Sequence, residues 1–395
     1  MAAQVNGLDW LLVAFAVIYA LSGYRQGFIV GACSTFGLLV GGALGVLFVP
    51  RLFDRFATSL EVSIAAVATV LVCAVLGQTV AAYYARTVRR QITWHPARAV
   101  DAVGGAVLSA AAAMAVAWAL GIAVSGAQIP GVAKAVQSSQ VLATVDRVLP
   151  GGADRALEAL TDVVDQSVFP RYLDPFVPEQ IVAVDPPTRE VLRDPEIRTA
   201  SRSVVKIIGT AESCARTIEG SGFVYAPERV MTNAHVVAGV DSPTVLIDGA
   251  ELSAETVVYD PDLDIAVLAV AGLAAEPLDF TEEGRSGSPG AVLGFPENGP
   301  FDAEPARIRA RQRLRSSDIY GQGTVFRNVF SVYASVRPGN SGGPMVSPDG
   351  DVYGVVFAAS VSDDATGYAV TAEQVAEDAA TGRDAADPVS TGGCA

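Results

Sequence analysis

The chain has 395 residues, enough for two or three domains, and 51% of them are hydrophobic, which is high for a soluble protein. The formal net charge is −15, and the residues from Ser201 onward carry nearly all of it, with 27 acidic against 13 basic side chains. Because phosphate binding needs a basic face, this balance excludes nucleic acid as a partner. With only two histidines and four cysteines, none in CxxC spacing, we expect no metal site and no cofactor.

Four apolar stretches fill the first 125 residues, and each is close to the roughly 20 residues that a helix needs to cross a bilayer. They run over Leu8–Leu21, Phe28–Val49, Val62–Tyr83 and Ala102–Val124. Small residues recur in them, as in Gly41-Gly42-Ala43-Leu44-Gly45, and let helices approach closely in lipid. We therefore predict an α-helical, four-span membrane domain over residues 1–125, with the lipid bilayer as its partner.

The basic residues between these stretches predict how the spans are oriented. Loops on the cytoplasmic side carry an excess of arginine and lysine. Five arginines flank the first and third loops and two lie in the second: Arg25, Arg86, Arg89, Arg90 and Arg98 against Arg51 and Arg55. The first and third loops are then cytoplasmic, and the C-terminal domain is extracytoplasmic, that is periplasmic, on a multi-pass cell-membrane protein.

Residues 126–200 are predicted to form an extracytoplasmic linker or stalk. Val132–Val148 and Ala153–Val168 have helical periodicity, and the prolines that follow keep the chain extended. An exposed, proline-rich segment is a favoured site of proteolytic nicking, which makes this linker the predicted place for self-cleavage.

From about residue 201 the sequence changes to short β runs separated by glycine and polar turns. Many short strands at such spacing predict a sandwich or barrel. The sequence Thr371-Ala372-Glu373-Gln374 has the pattern of a capping box and predicts a C-terminal helix. The predicted strands lie at Ser203–Ile208, Gly222–Tyr225, Thr244–Ile247, Ile265–Val270, Ala291–Gly294, Val329–Ser335 and Val352–Phe357.

Three segments of this domain carry the residue types of nucleophilic catalysis. His235 lies in Met231-Thr232-Asn233-Ala234-His235-Val236-Val237, Asp264 opens an apolar strand, and Ser341 lies in Gly339-Asn340-Ser341-Gly342-Gly343-Pro344. A serine hydroxyl needs an imidazole base, and the imidazole needs a carboxylate to fix its tautomer. Glycine in the serine turn lets backbone N–H groups converge on a developing oxyanion.

These segments, with Gly220–Phe223, resemble the trypsin/chymotrypsin-type serine proteases, and most closely their bacterial HtrA/DegP-like subgroup. The resemblance implies an all-β chymotrypsin-like double β-barrel domain with a C-terminal helix, over residues 201–395. It also implies that His235 is the general base, Asp264 its orienting carboxylate and Ser341 the nucleophile. The N–H groups of Gly339 and Ser341 would form the oxyanion hole.

The N-terminal region resembles another family, the colicin V production proteins, through Gly7-Leu8-Asp9 and Ser22–Phe28. Together the two regions resemble the membrane-anchored periplasmic serine proteases of actinobacteria, whose type is the mycobacterial acid-resistance protease. That resemblance alone implies a role in acid or oxidative envelope stress.

One residue of the serine turn departs from the digestive-type enzymes. They carry an aspartate where this chain has Asn340, and that aspartate pairs with a newly cut N-terminus during activation. An amide cannot make this ion pair, so we do not expect activation by N-terminal insertion. Carried over by position, the substrate pocket is formed by Ser335, Phe357, Ala358, Ala359 and Gly367. Because no acidic residue lies at its base, we expect a small or medium apolar residue before the scissile bond.

Two further features of the domain lead to predictions. Cys214 and Cys394 are the two cysteines outside the membrane spans, in an oxidising compartment, and we expect them to form a disulfide. Five arginines at a period of two lie on one predicted strand face: Arg307, Arg309, Arg311, Arg313 and Arg315. We interpret this face as solvated and paired with carboxylates, in preference to a substrate exosite.

The sequence thus predicts a membrane-tethered serine endopeptidase that hydrolyses protein or peptide substrates of the cell envelope. A catalytically silent peptide-binding domain on a membrane scaffold is the main alternative. A channel or transporter is disfavoured because few ionisable residues lie within the spans.

Overall fold

The computed structural model describes residues 6–53, 60–125, 130–148, 179–214, 216–360 and 362–395. These residues form two compact units. The first comprises the described residues up to 122 together with 139–148, and the second the described residues of 123–138 and from 179 onward. The predicted helix over Ala153–Val168 lies outside the described residues.

The first unit is helical, and its four long helices follow the four apolar stretches of the sequence. Within the described residues, α1, α4 and the Phe28–Gly45 part of α2 are long and apolar enough to cross a membrane. Helix α3 continues to Arg90 and α4 begins at His95, so Arg86, Arg89 and Arg90 lie on the end of a helix rather than in a loop. The helices are α1 Gly7–Gln26, α2 Phe28–Phe53, α3 Leu60–Arg90 and α4 His95–Ser125.

Small residues lie where these helices pack most closely. A Cβ at Gly41 of α2 would collide with the Cys73 carbonyl of α3, and one at Gly105 of α4 would collide with the Gly23 carbonyl of α1. The prediction that glycines allow close helix packing is confirmed at these positions.

A buried carboxylate joins α1 to the short helix α6, Gln140–Val148. Asp9 is 1% exposed and accepts hydrogen bonds from the Ser139 hydroxyl at 2.6 Å and the Val141 N–H at 3.1 Å. The Trp118 indole on α4 donates to Asp146 of α6 at 2.9 Å. Helix α6 therefore belongs to the first unit.

The second unit contains the strands, and its first half is a seven-stranded antiparallel sheet in the order β5-β4-β1-β2-β3-β7-β6. Its buried residues alternate along β1 and become continuous along β2, as expected for strands with one and two covered faces. The strands are β1 Val204–Ala211, β2 Arg216–Ala226, β3 Arg229–Thr232, β4 Thr244–Ile247, β5 Ala250–Ser253, β6 Glu255–Asp260 and β7 Ile265–Ala269.

The second half of this unit is a closed barrel in the order β10-β13-β12-β11-β8-β9. The sequence predicts two barrels, whereas the structure has one closed barrel beside one seven-stranded sheet. The strands are β8 Pro289–Gly294, β9 Asp302–Ser316, β10 Val325–Tyr333, β11 Pro344–Val346, β12 Val352–Ala359 and β13 Thr366–Thr371.

Three apolar clusters hold the second unit together. One is formed mainly by residues of the sheet and one by residues of the barrel. A larger one combines residues of both and includes Phe223, Leu293 and Phe357. Short helices lie around this core: α5 Pro130–Gln137, α7 Pro195–Ala200, α8 Ala234–Val237 and α9 Ala372–Asp384. The Thr371 hydroxyl accepts from the Gln374 N–H at 3.3 Å, which confirms the predicted start of the C-terminal helix.

Candidate active site

His235 and Asp264 meet between the sheet strands β3 and β7. His235 lies on α8 directly after β3, and Asp264 directly precedes β7, which pairs with β3. His235 Nδ1 lies 2.8 Å from Asp264 Oδ2 and 3.1 Å from Oδ1, and the His235 backbone N–H donates to Oδ1 at 2.9 Å. Because Asp264 is fully buried and His235 is 5% exposed, the carboxylate fixes the imidazole ring in a nearly dry environment.

The conformation of Asp264 is fixed by its own backbone and neighbours. Its φ is +63°, a left-handed conformation that aspartate tolerates better than most side chains. The Asn233 amide donates to the Asp264 carbonyl at 2.8 Å. The guanidinium of Arg327, a buried residue of β10, donates to the Leu263 carbonyl at 3.3 Å. Both halves of the unit therefore hold the turn that presents Asp264.

Asp262, an acidic residue two positions before Asp264, lies in the turn before this strand. The Asp260 carboxylate accepts from the N–H groups of Asp262 and Leu263 at 2.8 and 2.9 Å, as in an Asx turn. The structure brings Asp264, and not Asp262, to His235.

Ser341 lies in the turn between β10 and β11, and this turn contacts the sheet. The Ser221 N–H of β2 donates to the Ser341 carbonyl at 2.8 Å. A Cβ at Gly342 would lie 3.0 Å from the Asn233 nitrogen, at the start of the helix that carries His235. The serine turn therefore lies directly against the histidine turn, and Gly342, at φ +82°, is the residue that allows this approach.

The carbonyls of Pro338 and Gly339, shortly before Ser341, both accept hydrogen bonds, whereas two N–H groups of the same turn have no backbone acceptor in the described part of the chain. The buried Ser221 hydroxyl donates to the Gly339 carbonyl at 2.6 Å and accepts from the Phe295 N–H at 2.9 Å. The Pro338 carbonyl accepts from the Glu297 N–H at 2.6 Å. Within the described part of the chain, neither the Gly339 N–H nor the Ser341 N–H donates to a backbone carbonyl. These are the two donors that the sequence predicts for an oxyanion.

Comparison with known proteins identifies the family to which this geometry belongs. Serine protease Rv3671c of Mycobacterium tuberculosis is 37% identical over 390 residues, which span 98% of each chain. The chain belongs to the Rv3671c family of serine proteases. It is a serine endopeptidase, and the resemblance to membrane-anchored serine proteases is confirmed.

The other matches divide along the two units. Residues 220–355 match the trypsin-like peptidase domain, and residues 8–150 match the colicin V production protein family. The solved active form of the Rv3671c protease has a TM-score of 0.54 and 43% identity, and the match covers 56% of this chain and 98% of that one. A probable periplasmic DegP-like endoprotease of Halomonas elongata is 36% identical over 140 residues, covering 34% of this chain and 28% of that protein. Part of the chain thus has a trypsin-like β-barrel protease fold.

Four of the five predicted pocket residues of this Rv3671c-family chain lie on neighbouring barrel strands, and Ser335 follows the end of β10. Phe357, Ala358 and Ala359 end β12, and Gly367 on β13 pairs with Ala359. A Cβ at Gly367 would collide with the buried side chain of Val336, the residue after Ser335. Val336 therefore lies directly against Gly367, one of the predicted pocket residues.

The structure contains the disulfide that the sequence predicts, between Cys214 and Cys394. The C-terminal segment passes along the chain just after the histidine helix, because the Gly239 N–H donates to the Thr391 carbonyl at 3.2 Å. A Cβ at Gly239 would lie 3.1 Å from the Cys394 Sγ. Among the described residues, no group of three or more His, Cys, Asp or Glu side chains could hold a metal ion.

The interpretation of the arginine face as solvated is wrong for Arg309. Arg311 pairs with Glu373, as expected for a solvated face, and Arg313 stacks on Phe326 at 4.3 Å. Arg309 is 5% exposed, and its guanidinium lies 4.2 Å from the centre of the Tyr333 ring. The β9–β10 register shifts beside it, which turns this arginine inward at the irregularity.

Three residues of the candidate site received no role from the sequence: Ser221, Asn233 and Val336. Ser221 and Asn233 lie inside the two segments that carry the family resemblance. Ser221 follows Gly220, and Asn233 lies two positions before His235. The partners of their hydrogen bonds, however, are more than 30 residues away in the sequence. Only the fold shows that they support the serine turn and Asp264.

Proposed function

We propose that this chain is a membrane-tethered endopeptidase that cleaves proteins of the cell envelope through the triad His235, Asp264 and Ser341. The observation that carries the proposal is the buried pair of His235 with Asp264, with the serine turn packed against the start of the histidine helix. A base oriented by a carboxylate, beside a serine in a glycine turn, is the arrangement that acyl transfer requires.

The reaction divides into two acyl transfers. Ser341 Oγ attacks the scissile carbonyl while His235 takes its proton, and Asp264 stabilises the imidazolium that forms. The N–H groups of Gly339 and Ser341 stabilise the oxyanion of the tetrahedral intermediate. His235 returns the proton to the leaving amine as the peptide bond breaks. Water then attacks the acyl-enzyme while His235 takes its proton, and His235 passes this proton to Ser341 Oγ as the ester bond breaks.

The substrate pocket is proposed to be formed by Ser335, Phe357, Ala358, Ala359 and Gly367, and to accept a small or medium apolar residue. The position of Val336 against Gly367 supports a short pocket. We propose protein and peptide substrates from the envelope, with self-cleavage within residues 126–200, and a role in acid or oxidative envelope stress.

The proposed organisation is a four-span domain over residues 1–125, a linker over 126–200 and a protease domain over 201–395. Four long helices in the first unit support the four spans. The excess of arginine near the first and third loops supports an extracytoplasmic protease domain. The seven-stranded sheet is the proposed counterpart of the first barrel of a chymotrypsin-like domain.

Labelling with a fluorophosphonate probe tests the triad and separates it from a silent peptide-binding domain. The full chain in detergent micelles should be labelled at Ser341, and Ser341→Ala should abolish the labelling. Ser242→Ala, at an exposed serine of the same unit, is the matched control and should be labelled at the normal rate. An unlabelled native chain, or labelling that persists in Ser341→Ala, would refute the proposed mechanism and favour the binding domain.

A further inference from the structure

A short extended segment ahead of the protease strands, residues 179–182, lies against the loop between β12 and β13. Glu179 Oε2 accepts from the Tyr368 hydroxyl at 2.6 Å, and Oε1 accepts from the Ser362 hydroxyl at 2.9 Å. The Gln137 amide of α5 also donates to Oε1, at 3.2 Å. One carboxylate thus receives three hydrogen bonds from three separate parts of the protease unit.

Arg309 provides a second, independent anchor for the same segment. Its guanidinium donates to the Val182 carbonyl at 3.0 Å and to the Ala365 carbonyl at 3.4 Å. The side chain is buried and stacks on the ring of Tyr333. Arg309 therefore holds the segment and the β12–β13 loop to one another.

The loop that these anchors hold borders the predicted substrate pocket on two sides. It leads directly into Gly367, and Glu179 binds Tyr368, the next residue. The Ala365 carbonyl also accepts from the Ala334 N–H at 3.1 Å, beside Ser335. A shift of the loop would therefore move both the wall and the base of the pocket.

The hydrogen bond between Tyr368 and Glu179 is made by a buried phenol. Tyr368 is 1% exposed, and its burial together with the Glu179 carboxylate raises the pKa of the phenol above its usual value. The phenol therefore remains a donor, and the acceptor it finds is charged. A hydrogen bond to a charged acceptor is stronger than a neutral one, and a buried donor without its partner is unfavourable.

We propose that Glu179 is a positioning residue that braces the β12–β13 wall of the substrate pocket. The segment of residues 179–182, which precedes the protease strands, then completes the substrate pocket. This inference rests on the proposed function, because it concerns the same pocket. It also fits Asn340, since a serine turn without the aspartate of digestive enzymes cannot be ordered by an inserted N-terminus. Here an upstream carboxylate acts on the pocket wall instead.

The test compares steady-state kinetics of Glu179→Ala and the native full chain in detergent micelles. The substrate is a peptide p-nitroanilide with alanine or valine before the scissile bond. We expect KM to rise about tenfold because three hydrogen bonds to a charged group are lost, while kcat stays within about twofold. The labelling rate of Ser341 by a small fluorophosphonate, which does not fill the pocket, should be unchanged. Asp185→Ala, at an exposed acidic residue three positions beyond this segment, is the control and should match the native chain.

A double-mutant cycle with Tyr368→Phe separates bracing from a general loss of stability. Tyr368→Phe should raise KM in the native background and have little further effect in Glu179→Ala, because both changes remove the same contact. Unchanged KM in Glu179→Ala, an equal effect of Asp185→Ala, or fully additive effects of the two substitutions would overturn the inference. If the native chain is labelled at Ser341 and cleaves the substrate, such a result leaves the triad intact; an unlabelled native chain would instead refute the proposed function.

Discussion

Ser221 is expected to control the oxyanion turn, although the proposed mechanism gives it no chemical role. Its hydroxyl, fully buried, donates to the Gly339 carbonyl at 2.6 Å and accepts from the Phe295 N–H at 2.9 Å. The Gly339–Asn340 peptide group, which directly follows the Gly339 N–H in the turn, is therefore held by a side chain of the sheet. Ser221→Ala removes both bonds and leaves a buried donor and a buried acceptor without partners.

The magnitude follows from these two contacts. Each of the two unpaired groups costs about 1–3 kcal/mol, so we expect Ser221→Ala to lower the free energy of unfolding by about 2–6 kcal/mol. The loss of one oxyanion donor lowers kcat by about 10²–10³. Because Ser221→Ala loosens the turn next to the Gly339 N–H without removing that donor, we expect kcat to fall by about 10- to 100-fold. KM should change little, since the pocket residues are not in contact with Ser221.

The assay measures kcat and KM of the full chain in detergent micelles, beside a denaturant titration. Ser203→Ala is the matched control, because Ser203 is also buried and donates to a backbone carbonyl, that of Glu276, at 2.6 Å. It should lose stability and keep kcat. If Ser221→Ala and Ser203→Ala lower kcat equally, or if neither does, the idea that Ser221 holds the oxyanion turn is refuted.

Three other changes test the disulfide, the acid response and the pocket. Replacing Cys214 and Cys394 together by alanine should lower the free energy of unfolding by about 4–5 kcal/mol in the chain-entropy model, because the bond closes a loop of 180 residues; an unchanged denaturation midpoint would contradict this. Asp378 on α9 has a pKa raised to about 6 by burial and by neighbouring carboxylates, so the folded state should gain stability as the pH falls from about 6 to 4, and Asp378→Asn should flatten this slope in denaturant titrations at several pH values. Val336→Ala should deepen the pocket beside Gly367 and raise kcat/KM for leucine relative to alanine before the scissile bond by about tenfold; a peptide-library profile dominated by lysine or arginine would refute the apolar pocket.

Seven of the strands that the structure describes, and the segments that carry the triad candidates, could be predicted because their signals are local. Alternating or continuous β-branched runs mark strands such as β7 and β12, and their bounds agree with the structure to within one or two residues. His235 and Ser341 each lie in a short segment whose composition is unusual by itself. The fold then needs only to bring such segments together, which a trypsin-like barrel protease does.

The burial of Arg309 could not be predicted because it depends on partners far away in the sequence. A period of two places Arg309 with its neighbours on an outer face, and this holds only while the strand stays regular. The register shift between β9 and β10 breaks the period at that point. The extended segment at Val182 then covers the guanidinium, over a sequence distance of 127 residues.

The same reasoning explains why the supports of the candidate site are less visible than the site itself. The serine turn is recognisable from its glycines, but its Gly339 carbonyl accepts from Ser221 in the sheet, and the Ser221 hydroxyl in turn accepts from the N–H of Phe295, the residue after β8. Gly339 is pressed so close to the Phe295 carbonyl that a Cβ would collide with it. The serine turn is held between the sheet and the barrel, and it keeps its shape only while these two halves keep their relative position. Substitutions at the interface of the two halves should therefore change kcat before they change the secondary structure. Since Glu179 acts on the pocket wall from a third direction, its loss should appear in KM, and the two kinds of substitution are distinguishable in one kinetic experiment.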